Sequence, residues 1–216
     1  MKIKVLYEDS NILVIDKPSG ILVHPDKTGK EKTILDWAQE EYPTAELVHR
    51  LDKETSGVML IAKNPKTHEF LKNQFQNREV KKVYNAIVSG SIKNERGVIN
   101  KPIGRSPRDF RRWLAGRGAR GTLREAITEY KVLKRIKDFT YLEIKPKTGR
   151  THQIRVHMKY LNHPVVCDSL YNPGGSCPKG LSRLALHAKS IEFKNFKGKT
   201  VKAESPIPAE FKKVVK

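Results

Sequence analysis

Leu47-Val48-His49-Arg50-Leu51-Asp52-Lys53-Glu54-Thr55-Ser56-Gly57-Val58-Met59-Leu60-Ile61-Ala62 sets a polar loop directly before an unbroken apolar run. Residues 58 to 62 are too few for an ordinary helix and read as a buried strand. Working outward, Val5-Leu6-Tyr7 and Ile12-Leu13-Val14-Ile15 read as two short strands. Lys17-Pro18-Ser19-Gly20 is a turn signal, after which Ile21-Leu22-Val23 continues extended. Residues 33 to 42 read as a short helix with Thr33 as N-cap. Asn64 caps a second helix with Pro65 at its first position, where a missing N–H costs little.

Further on, residues 80 to 88, 126 to 133 and 139 to 144 read as strands, the last two joined tightly near Lys137-Asp138. Ile154, Met158 and Leu161 have helical spacing within residues 151 to 161. Short strands near Leu184 and Ile191 close the chain. Many strands and few helices predict an α+β fold, with a mixed, largely antiparallel sheet core and flanking helices. The 216 residues suit one large domain or two small ones, and neither an internal repeat nor a clear linker is visible.

Lys+Arg number 43 against 23 Asp+Glu, a net charge of +20. A polyanion is the natural partner for such an excess, since each neutralised phosphate releases counterions. A generally solvated basic surface is the bland alternative. No apolar run approaches the roughly 18 residues of a membrane span. The N-terminus becomes charged too soon for a signal peptide, so a cytoplasmic location is expected. Cys167 and Cys177 form neither a CxxC nor a disulfide framework, and with His163 or His187 they have no standard zinc spacing. They are expected to be reduced.

Between residues 101 and 124 stand eight basic residues: Lys101, Arg105, Arg108, Arg111, Arg112, Arg117, Arg120 and Arg124. Gly104, Gly116, Gly118 and Gly121 interrupt them, and Trp113 is the main aromatic. The segment reads as a mobile loop that contacts phosphates, with a merely solvated loop as the alternative. Its Gly116-Arg-Gly118-Ala-Arg-Gly121 matches GxGxxG but lacks the strand before and the helix after that a dinucleotide site needs. Gly198-Lys199-Thr200 would need a glycine at 193 to end a P-loop, and Phe193 stands there. No cofactor and no metal are expected.

Two segments carry candidate chemistry. Asp52 sits among Arg50, Lys53 and His49, where positive charge favours an ionised carboxylate able to act as nucleophile or charge stabiliser. The tetrapeptide alone favours a turn-capping or ion-paired aspartate. In Gly149-Arg150-Thr151-His152-Gln153-Ile154-Arg155-Val156-His157, a helix would put Thr151 and Arg155 on one face, and Arg155 could hold a carboxylate bidentately and orient Asp52. An ordinary amphipathic helix with a basic face is the alternative.

The chain resembles the RluA-type RNA pseudouridine synthases. Leu6-Tyr7-Glu8-Asp9 with Val14-Ile15-Asp16-Lys17-Pro18-Ser19-Gly20 is similar to the opening of that family. His49-Arg50-Leu51-Asp52 with Thr55-Ser56-Gly57 resembles its catalytic motif, and Lys81-Lys82-Val83-Tyr84 its tyrosine strand. Residues 148 to 158, His163-Pro164-Val165-Val166 and Leu186-His187-Ala188 follow in the same order. Cys167 and Asn172 stand where the family often has glycine.

The resemblance implies one catalytic domain over residues 1–216 with a central catalytic cleft, without the separate N-terminal RNA-binding domain of many members. It implies isomerisation of uridine to pseudouridine in structured ribosomal or transfer RNA by a monomer, with no cofactor. Asp52 would be the essential carboxylate, either attacking C1′ or removing a ribose proton. Tyr84 would stack on the base, Arg155 would pair with Asp52, and Arg50 would fill the space left by a flipped nucleotide. Arg108, Arg111, Arg112, Arg117 and Arg120 would bind RNA. A non-catalytic basic RNA-binding or ribosome-associated protein is the other reading, and it leaves the ordered motifs unexplained.

Overall fold

Residues Ser56–Ala62 form a strand whose seven residues are all buried, as the apolar run at 58 to 62 requires. The computed structural model describes residues 1–25, 29–116 and 118–216. In chain order the elements begin with β1 (Lys4–Glu8), β2 (Ile12–Lys17), α1 (Ile34–Glu41), β3 (Glu46–Leu47), β4 (Ser56–Ala62), α2 (Pro65–Gln76) and β5 (Lys81–Ser89). There follow β6 (Arg96–Asn100), β7 (Ile103–Arg105), β8 (Trp113–Ala115), β9 (Arg120–Arg124), β10 (Ile127–Ile136) and β11 (Phe139–Pro146). The last are α3 (Gln153–Tyr160), β12 (Leu186–Lys194), β13 (Thr200–Glu204) and α4 (Ala209–Val215). Mixed, mostly antiparallel pairing with four helices among the described residues is the α+β class expected from sequence.

The chain forms two units, each made of two separate stretches. The first holds residues 1–82 and 187–206. In it β2 pairs antiparallel with β1 and β4, β4 pairs parallel with β12, and β12 pairs antiparallel with β13. Its core gathers Ile12, Val14, Val58, Leu60, Leu71 and Phe193. Leu71 anchors α2 and is fully buried; truncating such a leucine to alanine costs about 2–5 kcal/mol. Both helix starts expected from sequence are present. Thr33 accepts the Asp36 N–H and Asp36 accepts that of Thr33, while Asn64 accepts the Thr67 N–H at 2.9 Å. Residues 21 to 23 are not a strand: the Leu22 and Val23 carbonyls accept the first amides of α1, at Ile34 and Leu35.

The second unit holds residues 83–186 and 207–216. Its strands run β5, β11, β10, β6, each antiparallel to its neighbour. Its core includes Val88, Leu142, Ile144, Met158, Val165 and Phe211. The helix expected from residue 151 begins at Gln153, because His152 adopts the left-handed conformation, with φ 55°.

Two expectations are corrected in this unit. The segment read as a mobile loop contains a three-stranded antiparallel sheet in the order β8, β7, β9. Its glycines do not mark looseness throughout. Gly104 lies in the middle strand, where a Cβ would stand 2.8 Å from the Leu123 side chain. Ile103, Trp113 and Ala115 then seat this sheet on a cluster with Ala126, Val156 and Tyr171. The cysteines are joined to each other as well, not separate thiols. The chain turns back after Asp168, whose carbonyl accepts the Asn172 N–H, and brings the Cα atoms of Cys167 and Cys177 to 5.3 Å, within disulfide span.

Candidate active site

The loop that carries Asp52 is fixed through its backbone. Lys17, the last residue of β2, is fully buried, and its ammonium donates to the carbonyls of Pro18 at 3.0 Å, Lys53 at 3.0 Å and Thr55 at 2.9 Å. Ser19 adds a hydroxyl bond to the Glu54 carbonyl at 2.6 Å, and Gly20 donates its N–H to Lys53. Within the loop the Thr55 N–H returns to the Asp52 carbonyl at 3.1 Å. A buried ammonium is costly unless it is fully hydrogen-bonded, and this one is repaid by three fixed carbonyl dipoles. The turn signal at Lys17-Pro18-Ser19-Gly20 is therefore also a clamp on residues 53 to 55. Sequence reasoning missed it, since lysine in a turn is ordinarily solvated.

Asp52 is half-buried on this loop, and Leu51 beside it is buried. Its expected cationic neighbours differ in kind. His49 accepts the Leu60 N–H on Nε2 at 2.9 Å and stacks on Phe75 at 5.0 Å. Burial, helped by the nearby Lys82 ammonium, pushes the His49 imidazole down to about 3, so the ring is neutral at physiological pH. Lys53 is exposed and pairs with Glu31 at 2.8 Å, and Arg50 is exposed. At the far end of the loop the Ser56 hydroxyl meets His187 Nδ1 at 2.9 Å.

The second unit carries the other two candidates. Tyr84 lies on β5, in register with Ile144, and is partly buried against the core. Arg155 lies in α3 and is buried. Its guanidinium grips Asp168 bidentately, Nε to Oδ2 at 2.7 Å and Nη2 to Oδ1 at 2.8 Å. Asp168 is wholly buried, and its Oδ1 also accepts the N–H groups of Leu170 and Tyr171 at 3.0 and 2.9 Å. The Tyr171 ring lies against the same guanidinium, 5.1 Å away, and its hydroxyl accepts the Trp113 N–H at 3.0 Å. Asp168 is thus a carboxylate of Arg155 that sequence reasoning did not single out.

Of the expected RNA-binding arginines, Arg108, Arg111 and Arg120 are exposed and Arg112 is half-buried. Arg108, Arg111 and Arg112 belong to the connection from β7 to β8, and Arg120 opens β9. Arg117 lies outside the described residues. Arg111 pairs with Asp109 at 2.9 Å and Arg112 with the same carboxylate at 3.4 Å. The Arg111 hydrogen bonds hold the Asp109 carboxyl down to about 2. Arg105 stacks on Trp113 at 4.4 Å. A shallow pocket beside this sheet is lined by Ile103, Trp113, Arg124, Gly149, Arg150 and Thr151.

Residues 11–160 match the family model described as RNA pseudouridylate synthase. The chain belongs to the RNA pseudouridine synthases. A ribosomal large subunit pseudouridine synthase D of Xanthomonas campestris is 37% identical, over 99% of this chain and 68% of the relative. An uncharacterised RNA pseudouridine synthase of Bacillus subtilis is 36% identical, over all of this chain and 72% of the relative. The solved structure of human RNA pseudouridylate synthase domain containing 1 superposes with a TM-score of 0.82 at 27% identity, covering 96% of this chain and 84% of that one. These relatives bear out the RluA-type resemblance. A pseudouridine synthase is an isomerase acting on RNA, which sets aside the non-catalytic reading and supplies the polyanion that the charge of +20 calls for. Among the described residues no helix is long and apolar enough to cross a membrane.

Proposed function

We propose that this pseudouridine synthase uses Asp52 as its catalytic carboxylate, on a uridine of structured RNA. Ribosomal RNA is the favoured substrate, since several relatives are named for the large ribosomal subunit, with transfer RNA as the second possibility. The observation that carries the Asp52 assignment is the clamp on its loop. Lys17, Ser19 and Gly20 bind the backbone of residues 53 to 55, immediately after residue 52. A reactive group on a rigid support loses little entropy on engaging its target.

The N1–C1′ bond breaks, the freed uracil turns, and C5 bonds to C1′ while the C5 proton leaves and N1 gains one, so the reaction is redox-neutral. Asp52 either attacks C1′ and is displaced by C5, or removes a ribose proton and later returns it. Tyr84 stacks on the base and assists loss of the C5 proton. Arg155 serves as the cationic partner of the Asp52 carboxylate, and Arg50 occupies the place of the flipped nucleotide. Arg108, Arg111, Arg112, Arg117 and Arg120 supply phosphate contacts, which position RNA without reading bases. In this reading residues 1–216 act as one catalytic domain, in a cytoplasmic monomer.

The test is Asp52→Asn and Asp52→Ala, assayed for pseudouridine by carbodiimide-dependent reverse-transcription stops. RNA affinity should survive and product should vanish. Residual turnover above about one percent of wild type would sink the assignment, since losing a nucleophile costs far more.

A further inference from the structure

Phe110 is 82% exposed, more than any other large hydrophobic side chain among the described residues. A single exposed phenylalanine needs no explanation by itself. This one differs in how it is held and what surrounds it. It stands in the connection between β7 and β8, with Asp109 before it and Arg111 after it.

That connection is built, not loose. The Ser106 hydroxyl accepts the N–H groups of Arg108 and Asp109, each at 3.3 Å. Asp109 Oδ1 accepts the N–H and Nε of Arg111 at 2.9 and 3.0 Å, and the Arg112 N–H bonds the Asp109 carbonyl at 2.9 Å. Ser106 and Arg112 close the turn with a backbone bond at 3.0 Å. The carbonyl of Phe110 itself accepts from Arg105 Nη1 at 3.0 Å, while the same guanidinium lies on the Trp113 ring. The backbone of residue 110 is pinned, and its ring alone projects into water. Arg105, Arg108, Arg111 and Arg112 stand around it in sequence. The one acidic residue of the turn, Asp109, is already neutralised by Arg111 and Arg112.

An aromatic face held rigidly within a cationic collar fits one class of partner, a nucleobase on a phosphate backbone. We propose that Phe110 is a stacking platform for an unpaired base of the RNA substrate, outside the residues assigned to catalysis. The proposal rests on the reading that the chain binds structured RNA. A partner protein or a second copy of this chain would want a contiguous apolar patch, and the sequence neighbours of Phe110 are charged.

The test measures affinity for two synthetic probes, a stem-loop RNA with a uridine-rich loop and a fully paired RNA of equal length, over a salt series. Phe110→Ala should weaken stem-loop binding about tenfold, within what one base–aromatic stack supplies. Duplex affinity and the slope against salt should stay as in wild type, since no phosphate contact is lost. Phe110→Tyr should bind like wild type and Phe110→Leu like the alanine variant. Arg108→Gln is the contrast: it should lower the salt slope by roughly 0.7 to 0.9 and weaken both probes.

Unchanged stem-loop affinity in Phe110→Ala would overturn the proposal. So would an equal loss on both probes, or a leucine that serves as well as tyrosine. Because the ring is exposed, thermal melts of all three variants should match wild type. Wild type that binds the stem-loop in this pattern yet never makes pseudouridine on any RNA would bring down the proposed catalytic reading and leave the stack standing.

Discussion

The ammonium of Lys17 lies 2.9 Å from the carbonyl of Thr55, three residues beyond Asp52. One buried cation therefore ties the end of β2 to the loop that bears the candidate carboxylate.

Lys17→Met should cut that tie without changing the volume greatly. Three carbonyls lose the ammonium, Lys53 alone keeping the Gly20 N–H, so stability should fall by about 2–4 kcal/mol in chemical denaturation. Turnover at saturating RNA should drop more than RNA affinity, because the loop loses its position while the arginines remain. A variant as stable and active as wild type would show that the clamp is incidental.

Gly57→Ala should be still more damaging. Gly57 has φ of +109°, and a Cβ there would stand 2.1 Å from the carbonyl oxygen of Ala188 across the parallel β4–β12 ladder. Neither backbone can yield cheaply, since the strands are buried and paired. The expected outcome is insoluble protein, or a soluble one destabilised by at least about 3 kcal/mol. Normal expression with an unchanged melting temperature would contradict this account of the ladder.

Asp168→Asn should take a bidentate carboxylate away from a buried guanidinium. Breaking such a pair from one side costs about 3–5 kcal/mol, whereas replacing both partners by apolar groups costs far less. The double variant Arg155→Met with Asp168→Leu should thus be more stable than Asp168→Asn alone, although catalytically impaired. If the double variant proved the less stable of the two, the Asp168 contact would be minor in holding the fold.

The neutral His49 gives stability a pH dependence. Its folded value of about 3 lies below the ordinary histidine value of 6.5. Between the two, the unfolded chain binds a proton that the folded chain refuses, so stability falls as pH drops through that window and is unaffected above it. Burial lowers the His157 imidazole too, which acts in the same direction. Melting temperatures should decline from about pH 7 to about pH 4, and His49→Gln should flatten part of that decline. Equal slopes in both proteins would mean that His49 titrates normally.

Local chemistry made much of this fold legible. Thr33 and Asn64 announced helix starts because a hydroxyl or amide before an apolar period has one good use. The run at residues 58 to 62 announced a central strand because nothing in it tolerates water. What escaped depends on distant partners. Lys17 looks solvated until its carbonyls, up to 38 residues away, are known. Asp168 follows an apolar segment, and nothing local ties it to Arg155, whereas Asp52 stands inside a recognisable motif. The sheet of residues 103 to 124 was read as a loop because its strands are short and arginine-rich, and β9 is exposed throughout. Their seat on Tyr171 and Val156 is a tertiary fact. Phe110 was overlooked for the same reason, since exposure of one ring is invisible without the turn that presents it.

The parallel ladder between β4 and β12 joins residues 131 positions apart, as Ser56 and His187 are. A ribosome making this chain releases Lys17, the Asp52 loop and β4 early, and they can close on one another at once. β3 can cover Ile61 and Ala62 early, but the Ser56–Gly57 end of β4 must wait for β12 while more than half of the protein is still being synthesised. Throughout that interval the nascent chain leaves this strand end short of its late partner, and such ends can pair with the wrong neighbour. Chaperone occupancy and translation speed should therefore govern the yield of active protein more than the stability of the finished molecule does.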